Sequence, residues 1–466
     1  MNLSNIHTIY FIGIGGIGMS GLARYFNTHG VTVSGYDKTP SVLTEEMIAE
    51  GMSIHFEEDL SLIPKEADLV VYTPAIPADH AELVYYREHQ YTVIKRSDLL
   101  EQLTADLFTI AVAGTHGKTT TSSMIAHILK YSGYDCTAFL GGIAANYDSN
   151  FIVGKNKTVV VEADEFDRSF LKLHPDIAVI TSCDADHLDI YGTEAEVKNS
   201  FDEFTGKIKA GGTLITKAAL SFPDRTVDDI KTLYYALDGA DLDFYSTDTR
   251  IDQGTYVFNV VGKNFTINDI HLSIAGRHNA ENAIAAVAVA SLLNIKPEQI
   301  SMALQTFKGV KRRFQFMVRT SSTIFIDDYA HHPAEIAAFL NSVREIFPGR
   351  KITCVFQPHL YTRTRDFAGA FSESLSLADE VILLPVYPAR ELPIAGVSSE
   401  MLLDKIKSHE KRVVRKQSLI SELMHLPLEV LVTIGAGDID QLVDPIVGML
   451  ETRGGNGIHD KAGEKK

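Results

Sequence analysis

Two glycine-rich segments, each placed between a run of β-branched residues and a helical pattern, constrain this chain more than any other feature of its sequence. The first is GIGGIG at residues 13–18, and the second is GTHGKTT at residues 114–120. A strand that leads through glycines into a helix is typical of nucleotide-binding α/β units, because the glycines let a phosphate approach the backbone. The chain is therefore predicted to hold two phosphate sites in two separate domains.

The first loop matches the spacing G-x-G-x-x-G and opens a helical pattern after a predicted strand. Its glycines are Gly13, Gly15, Gly16 and Gly18. Asp37 ends the next predicted strand, where an acidic side chain can accept hydrogen bonds from a ribose or a base. This pattern predicts a site for the diphosphate of a nucleotide, and it leaves NAD, FAD and a nucleotide sugar open.

The second loop departs from the strict Walker A pattern, because Val112 stands where its first glycine would be. The functional parts of a phosphate loop are nevertheless present, and they are Gly114, Thr115, His116, Gly117, Lys118, Thr119 and Thr120. Backbone N–H groups of such a loop surround phosphate oxygens, and the ammonium of Lys118 would neutralise the β- and γ-phosphate charge. The hydroxyl of Thr119 is expected to hold Mg²⁺.

Acidic residues follow two further predicted strands, in EADEFD at 162–167 and DADHLD at 184–189. Glu162 and Asp164 are expected at the sheet edge where the second loop lies. Mg²⁺ prefers oxygen ligands, so Glu162 is the predicted magnesium ligand beside Thr119. His187 stands among three aspartates, and an imidazole there indicates a second, distinct metal site.

Short β-branched runs alternate with amphipathic segments along the chain, which predicts an α/β fold. The runs that open such units are 7–13, 32–37, 68–74, 108–114, 158–164, 177–182, 323–329, 351–357, 380–386 and 429–435. They group into blocks at 1–105, 106–313 and 314–466. Residues 240–274 show short alternating strands instead, and we predict an antiparallel excursion there.

The amino-acid composition excludes several classes of ligand and several classes of protein. Acidic residues outnumber Lys and Arg by 60 to 43, a net charge of −17, so nucleic acid is not an expected partner. The three cysteines are widely spaced, which argues against a disulfide framework and a structural zinc site. No apolar run reaches about 18 residues and no signal-peptide pattern is present, so we expect a cytoplasmic chain without membrane insertion.

The motifs taken together resemble those of the Mur ligases of peptidoglycan synthesis. They are GTHGKTT, EADE, DADHLD, GRHNAEN at 276–282, RRF at 312–314, DDYAHHP at 327–333 and FQPHLYTRTRD at 356–366. The resemblance implies three domains: a Rossmann-like domain for a UDP-sugar at 1–105, a central P-loop-type ATPase domain with a mostly parallel sheet at 106–313, and a Rossmann-like amino-acid-binding domain at 314–466. The opening FIGIGGIGMSG, together with the HHP and TRTRD segments, is most similar to the branch that joins L-alanine to UDP-N-acetylmuramate.

The resemblance also implies roles for individual residues. ATP would lie on Gly114 to Thr120, with adenine near Asn279 or Asn282, whose amides can pair with its N6/N7 edge. Arg313 would reach the nucleotide phosphates, while His331 and Arg363 would meet the amino acid. Asp37 would lie on the uracil side. One departure is Leu360, where many members carry a basic residue.

The implied reaction is attack of the muramate carboxylate on the γ-phosphate of ATP, followed by attack of the L-alanine amine on the acyl phosphate. His331 would accept the amine proton or orient the alanine carboxylate. Because three ligands must meet, we expect hinges near residues 105–107 and 312–315. Two alternative enzymes remain, a ligase that attaches a ready-made peptide and a nicotinamide-dependent oxidoreductase; a third alternative is a non-enzymatic nucleotide switch.

Overall fold

The computed structural model describes residues 3–184, 188–223, 229–252, 254–389 and 391–453. Over these residues the strands form three sheets, of five, ten and six strands. Each sheet is mostly parallel and is interleaved with helices, so the predicted three-domain α/β class is confirmed.

The N-terminal sheet carries the first glycine loop. Its elements are β1 (Thr8–Ile12), α1 (Ile17–Thr28), β2 (Thr32–Tyr36), α2 (Val42–Ala49), β3 (Ser53–His55), β4 (Leu69–Tyr72), α3 (Ala81–Glu88), β5 (Val93–Lys95) and α4 (Arg96–Thr104). The strand order is β3-β2-β1-β4-β5, and neighbouring strands run parallel. Strand β1 is central and buries Phe11 on one face and Tyr10 on the other, as its continuous apolar sequence predicts for a covered parallel strand.

The central sheet carries the second glycine loop. Its elements are β6 (Phe108–Ala113), α5 (Lys118–Tyr131), β7 (Thr137–Ala144), β8 (Ser149–Ile152), β9 (Thr158–Glu162), β10 (Ile177–Ile180), α6 (Leu188–Tyr191), α7 (Glu194–Thr205), β11 (Thr213–Lys217), β12 (Lys231–Ala236), β13 (Phe244–Asp252), β14 (Thr255–Gly262), β15 (Phe265–His271), α8 (Arg277–Leu292) and α9 (Pro297–Thr306). The strand order is β15-β14-β13-β12-β11-β10-β6-β9-β7-β8. Strands β14 and β15 pair antiparallel, so the predicted excursion is confirmed, and it extends one edge of this sheet.

The C-terminal sheet has the order β16-β17-β21-β18-β19-β20, with only the β16–β17 pair antiparallel among its described pairs. Its elements are β16 (Gln315–Arg319), β17 (Ile324–Asp328), α10 (Pro333–Ile346), β18 (Ile352–Phe356), α11 (Tyr361–Asp366), α12 (Ala368–Leu375), β19 (Glu380–Leu383), α13 (Ser399–Leu403), β20 (Glu410–Val413), α14 (Leu419–Met424), β21 (Val430–Ile434) and α15 (Val443–Arg453). Strands β17, β18 and β21 are fully buried and lie side by side at its centre.

The chain divides into two compact units. The first comprises Met1–Arg250, Val257–Ser273 and Asn279–Lys311, and the second comprises Ile251–Tyr256, Ile274–His278 and Arg312–Lys466. The first and second glycine loops therefore belong to one unit. The domain boundaries and the two hinges expected from the sequence stay predictions.

Helix α1 joins the first two sheets within the first unit, because its buried side docks on the β7–β8 hairpin. The Asn150 amide donates to the carbonyl of Ile17 at 2.6 Å and to the hydroxyl of Ser20 at 2.9 Å. The Arg24 guanidinium donates to the side-chain amide oxygen of Asn150 at 3.0 Å. Buried polar groups must be paired, so these bonds fix the helix on the hairpin. In the part of the chain that the structure describes, no helix has the length and hydropathy to cross a bilayer.

Candidate active site

The first glycine loop leaves the carboxyl end of β1 and is held from the end of β2. The N–H groups of Gly13 and Ile14 donate to the carbonyl of Tyr36 at 2.7 and 2.9 Å. The N–H of Gly15 donates to the Asp37 carboxylate at 2.8 Å. The predicted substrate residue Asp37 thus fixes the shape of the loop. Its second oxygen accepts the N–H of Thr39 at 3.2 Å.

The remaining glycines of this loop start helix α1. Gly16 is the N-cap residue, with extended backbone angles and no side-chain cap, and Gly18 lies in the first turn. The first N–H groups of a helix point away from its body and carry its positive dipole end. This end of α1 is therefore suited to a diphosphate, and binding there stays a prediction.

The second glycine loop leaves the carboxyl end of β6 and depends on two unusual backbone angles. Gly114 has φ +133° and Gly117 has φ +84°. A Cβ on Gly114 would stand 2.8 Å from the backbone nitrogen of Ser182, so no side chain fits there. The Ser182 hydroxyl accepts the N–H of His116 at 2.7 Å and bonds the hydroxyl of Thr115 at 2.9 Å. The segment after β10 therefore holds the loop in shape.

Lys118 begins α5 and is the main positive charge at this loop. Its ammonium donates to the carbonyl of Gly114 at 2.7 Å and lies 2.8 Å from the carboxylate of Glu165. Burial lowers the pKa of Lys118, but the carboxylates of Glu165, Asp164 and Glu162 raise it by more than burial lowers it. The pKa of Lys118 is therefore above the ordinary value of a lysine. The side chain is therefore a permanent cation that can neutralise phosphate.

The next two threonines of the loop, Thr119 and Thr120, lie buried in the first turn of α5. A Cβ on Gly142 would stand 3.1 Å from the Thr119 methyl, and one on Gly141 would overlap the Glu162 carboxylate. Glu162 accepts the N–H of Gly141 at 3.0 Å. Adjacent glycines of β7 thus let Thr119 and Glu162 approach the same strand.

A hydroxyl and a carboxylate are the oxygen donors that Mg²⁺ takes, and this ion usually keeps water or substrate phosphate as its other ligands. Thr119 and Glu162 therefore fit a magnesium ion. Within the described ranges no group of three or more His, Cys, Asp or Glu residues is placed to hold a metal. The second predicted ligand, His187, lies outside the described residues.

The predicted adenine residues lie at the start of α8. A Cβ on Gly117 would stand 2.8 Å from the Asn282 amide oxygen, so this side chain packs directly on the second glycine loop. The Asn282 amide nitrogen points to Asn279 at 3.4 Å, and both residues are buried. The structure thus places Asn282 against the loop and Asn279 beside Asn282, and their role in adenine recognition stays a prediction.

In the second unit, the carboxylate of Glu335 lies close to the backbone N–H of His331, to the His331 ring and to the Arg313 guanidinium. Its carboxylate accepts the backbone N–H of His331 at 3.0 Å and lies 3.5 Å from the His331 ring nitrogen. The Arg313 guanidinium lies 3.5 Å from the other oxygen and over the ring of Tyr329. His332 caps α10, because its ring nitrogen accepts the N–H of Ala334 at 3.3 Å.

A second histidine lies beside this cluster. The His331 and His359 ring centroids are 6.4 Å apart, and His359 stacks on Tyr387 at 5.6 Å. Leu360, the residue that departs from the family pattern, has φ +71°, and its N–H donates to the carbonyl of Tyr387 at 2.9 Å. Such strain in a bulky residue is typical of functional sites. Half-buried Arg363 follows in α11.

Sequence reasoning missed several residues of these sites. Glu165 is the fourth residue of EADEFD and was not singled out. It lies beyond the end of the strand, and its carboxylate pairs with Lys118. Ser182 precedes the DADHLD motif and carries no catalytic signature of its own. Tyr387 lies in a loop after β19 and comes next to His359 only through the order of the C-terminal strands. Of these residues, only Glu165 could have been found from the sequence, because it belongs to a cluster of acidic residues that follows one predicted strand.

Three family models match successive parts of the chain. The model described as Mur ligase family, catalytic domain matches residues 8–107, the Mur ligase middle domain matches 112–290, and the Mur ligase, glutamate ligase domain matches 312–437. Together they span most of the chain.

Relatives and solved structures agree with these models. The UDP-N-acetylmuramate–L-alanine ligase of Flavobacterium psychrophilum is 52% identical over 450 residues, which cover 95% of this chain and 98% of the relative. The one from Parabacteroides distasonis is 48% identical over 452 residues, covering 96% and 98%. The crystal structure of UDP-N-acetylmuramate–alanine ligase from Thermotoga maritima matches with a TM-score of 0.80 at 28% identity, covering 96% of this chain and 99% of that one. A murein peptide ligase from Psychrobacter arcticus shares the fold, with a TM-score of 0.68 at 21% identity, covering 97% and 100%.

Proposed function

The chain belongs to the Mur ligase family, and we propose that it joins L-alanine to UDP-N-acetylmuramate while ATP is split to ADP and phosphate. The observation that carries this proposal is the presence of two phosphate-binding loops in one compact unit, of which only the second has a lysine. One loop is suited to a sugar nucleotide that keeps its diphosphate, and the other to a nucleotide that gives up a phosphate.

Relatives support L-alanine as the amino acid. The two curated relatives described above are named for it, and each is aligned over nearly its full length. The murein peptide ligase is less similar in sequence and in structure than the alanine ligase from Thermotoga maritima. This difference favours a free amino acid over a ready-made peptide.

The first step activates the muramate carboxylate. A carboxylate oxygen attacks the γ-phosphorus of ATP, the bond to the β-phosphate oxygen breaks, and ADP leaves an acyl phosphate behind. Two anions must approach each other, so positive charge is the main requirement. The cation of Lys118, already held at the loop by the Gly114 carbonyl, supplies it.

Magnesium would be held by the Thr119 hydroxyl and the Glu162 carboxylate, where it would add charge neutralisation for the phosphate oxygens. The loop itself positions the phosphates. The N–H groups of Gly117 and of the first turn of α5 would surround the phosphate oxygens, and Ser182 keeps the loop in shape by accepting the N–H of His116. Asn282 is proposed to contact the nucleotide beside Gly117.

The second step forms the amide. The amine of L-alanine attacks the acyl carbon, inorganic phosphate leaves, and the amine loses a proton. His331 is proposed to accept that proton, because an imidazole titrates near neutral pH and Glu335 lies 3.5 Å from its ring nitrogen. Arg363 is proposed to bind the alanine carboxylate, and Arg313 the nucleotide phosphates.

The test is release of ADP by the full chain with ATP, Mg²⁺ and UDP-N-acetylmuramate. L-alanine, glycine, L-serine and a murein tripeptide are compared as acceptors. We expect the highest kcat/KM with L-alanine and no ADP release when the UDP-sugar is omitted.

Turnover with the tripeptide and not with L-alanine would make the chain a recycling ligase. Binding of ATP without any acceptor-dependent ADP release would instead favour a nucleotide switch. Reduction of NAD, when NAD is added to the same mixtures, would favour the oxidoreductase. A mass measurement of the product, one alanyl residue heavier than UDP-N-acetylmuramate, completes the test.

A further inference from the structure

Arg96 packs against the last glycine of the first loop. A Cβ on Gly18 would stand 2.9 Å from a terminal nitrogen of the Arg96 guanidinium and 3.3 Å from its central carbon. Both residues lie in the first unit. The guanidinium therefore lies beside the first turn of α1, at the helix end where the diphosphate of the sugar nucleotide is proposed to bind.

Among the residues that the structure describes, no carboxylate forms an ion pair with Arg96. Across the described residues, the guanidinium has no hydrogen bond and no ion pair, although it is only half exposed. The nearest acid along α4, Asp98, is engaged elsewhere, because it accepts the N–H of Lys95 at 3.1 Å and pairs with Lys172. An arginine that the fold leaves unpaired is available for an anionic ligand.

The position of Arg96 is also unfavourable for a structural cation. It is the first residue of α4, where the positive end of the helix dipole disfavours positive side chains. A residue that breaks such a local rule without a compensating contact indicates a functional site.

A small pocket lies between this arginine and the carboxylates at the end of β9. It is lined by Arg96 and Ser97 from α4, by Glu162 at the end of β9, by Asp164 just after it, and by Ser169 and Phe170. Glu162 is the proposed magnesium ligand. The pocket marks the direction, from Arg96 toward Glu162, in which the muramate carboxylate is proposed to extend.

We propose that Arg96 binds the diphosphate of the sugar nucleotide and thereby sets the direction in which the muramate carboxylate extends. This proposal deepens the proposed function and depends on it. The guanidinium fork matches two phosphate oxygens. The N–H groups of Ile17 and Gly18, for which the described contacts include no acceptor, face the same diphosphate. The diphosphate, and not the carboxylate, is favoured because the guanidinium contacts Gly18 itself.

The test compares UDP with UDP-N-acetylmuramate as ligands in calorimetry, for the wild-type chain and for Arg96→Ala and Arg96→Lys. UDP carries the diphosphate but no muramate carboxylate. We expect Arg96→Ala to lower the affinity for both ligands by a similar factor, about 10-fold to 100-fold. The affinities of Arg96→Lys should lie between those of the wild type and of Arg96→Ala, because lysine keeps the charge but cannot donate to two phosphate oxygens as the planar guanidinium does. The KM for ATP should stay within about twofold of the wild-type value.

Lys95→Ala is the matched control, because it removes the same charge from the neighbouring, exposed position. It should leave the affinity for UDP unchanged. Circular dichroism should show all three variants folded, since Arg96 has no partner to lose.

Unchanged affinity for UDP in Arg96→Ala, with weaker UDP-N-acetylmuramate, would overturn the proposal and assign the arginine to the carboxylate. Equal losses in Lys95→Ala and Arg96→Ala would overturn it in favour of a diffuse charge effect. If the wild-type chain binds UDP through Arg96 but forms no alanyl product, the proposed function fails and the diphosphate contact stands.

Discussion

The ammonium of Lys118 lies 2.8 Å from the carboxylate of Glu165, which is 1% exposed. Without a nucleotide, the charge that should meet ATP is therefore already paired. Phosphate oxygens must compete with a buried carboxylate for the same cation. The pair keeps Lys118 in place at the loop, and it lowers the free-energy gain available when ATP binds.

We predict that Lys118→Ala abolishes ADP release, to less than about one hundredth of the wild-type rate, because no other loop residue supplies its charge. Binding of the UDP-sugar in calorimetry should stay nearly intact, since that ligand is proposed to bind the other loop. The single variant leaves Glu165 buried without its cation, which we expect to cost about 2–4 kcal/mol of the free energy of unfolding. Lys118→Ala/Glu165→Gln should recover most of that loss without recovering activity, and recovered activity would contradict the role of Lys118.

We predict that Glu165→Gln tightens binding of ADP measured without magnesium, by about threefold to tenfold. The amide keeps the shape of the carboxylate but no longer competes with phosphate for the ammonium. Calorimetry at constant ionic strength measures the change. Asp164→Asn is the comparison, because Asp164 contributes to the pKa of Lys118 without a hydrogen bond to it and should give a smaller effect. Weaker ADP binding in Glu165→Gln would show that the carboxylate helps to bind the nucleotide.

We predict that Gly114→Ala lowers the free energy of unfolding by about 3 kcal/mol or more and removes ATP binding. The new Cβ would meet the backbone of Ser182, which cannot move without opening the loop. Gly133→Ala is the control, because Gly133 also has positive φ, +80°, but open space around it. That variant should cost only about 1 kcal/mol in urea unfolding and keep full activity. Equal losses in the two variants would mean that backbone strain alone explains the effect.

We predict an acid-sensitive contribution to stability from His127, on α5. Burial lowers the pKa of this imidazole to about 4. Its ring nitrogens bond the hydroxyls of Tyr147 at 2.9 Å and Thr306 at 3.1 Å, contacts that suit a neutral ring. The unfolded chain binds the proton with a pKa near 6.5, so the contribution is full above about pH 6.5 and is lost as the pH falls to about 4.

The size of this effect is about 3 kcal/mol over that pH range. Urea unfolding of the wild-type chain and of His127→Gln at several pH values measures it. The variant has no titrating ring, so the difference in unfolding free energy between the two proteins should shrink as the pH falls. A difference that is constant from pH 7 to pH 4 would show that the folded and unfolded chains protonate this histidine alike.

Much of the fold could be predicted, because parallel strands covered on both faces are continuous apolar runs. Each of the ten predicted runs contains a strand of the structure. Strands β7 and β8 are among the strands that the predicted runs do not include, and both were missed for physical reasons. Two glycines interrupt β7, where Glu162 and Thr119 need the space, and β8 is short and polar at Asn150, which bonds to α1.

The candidate sites divide in a similar way. The loop residues and Glu162 were predictable because phosphate chemistry restricts both residue type and spacing. Arg96 and Tyr387 were not, because each reaches its site through tertiary packing that no local pattern encodes. Asp37 was predicted as a substrate residue, and the structure adds a contact that the motif does not contain, the bond to the Gly15 N–H.

The Asn150 side chain belongs to the central sheet, yet it supports the helix that begins at the first loop. A chimeric protein built from two homologous ligases must keep this contact between α1 and the β7–β8 hairpin. A chimera that takes residues 1–105 from another parent would pair a foreign α1 with the native hairpin, so residues 137–152 should be transplanted with it. The unit of modular engineering in this enzyme is therefore the N-terminal sheet together with one hairpin of its neighbour.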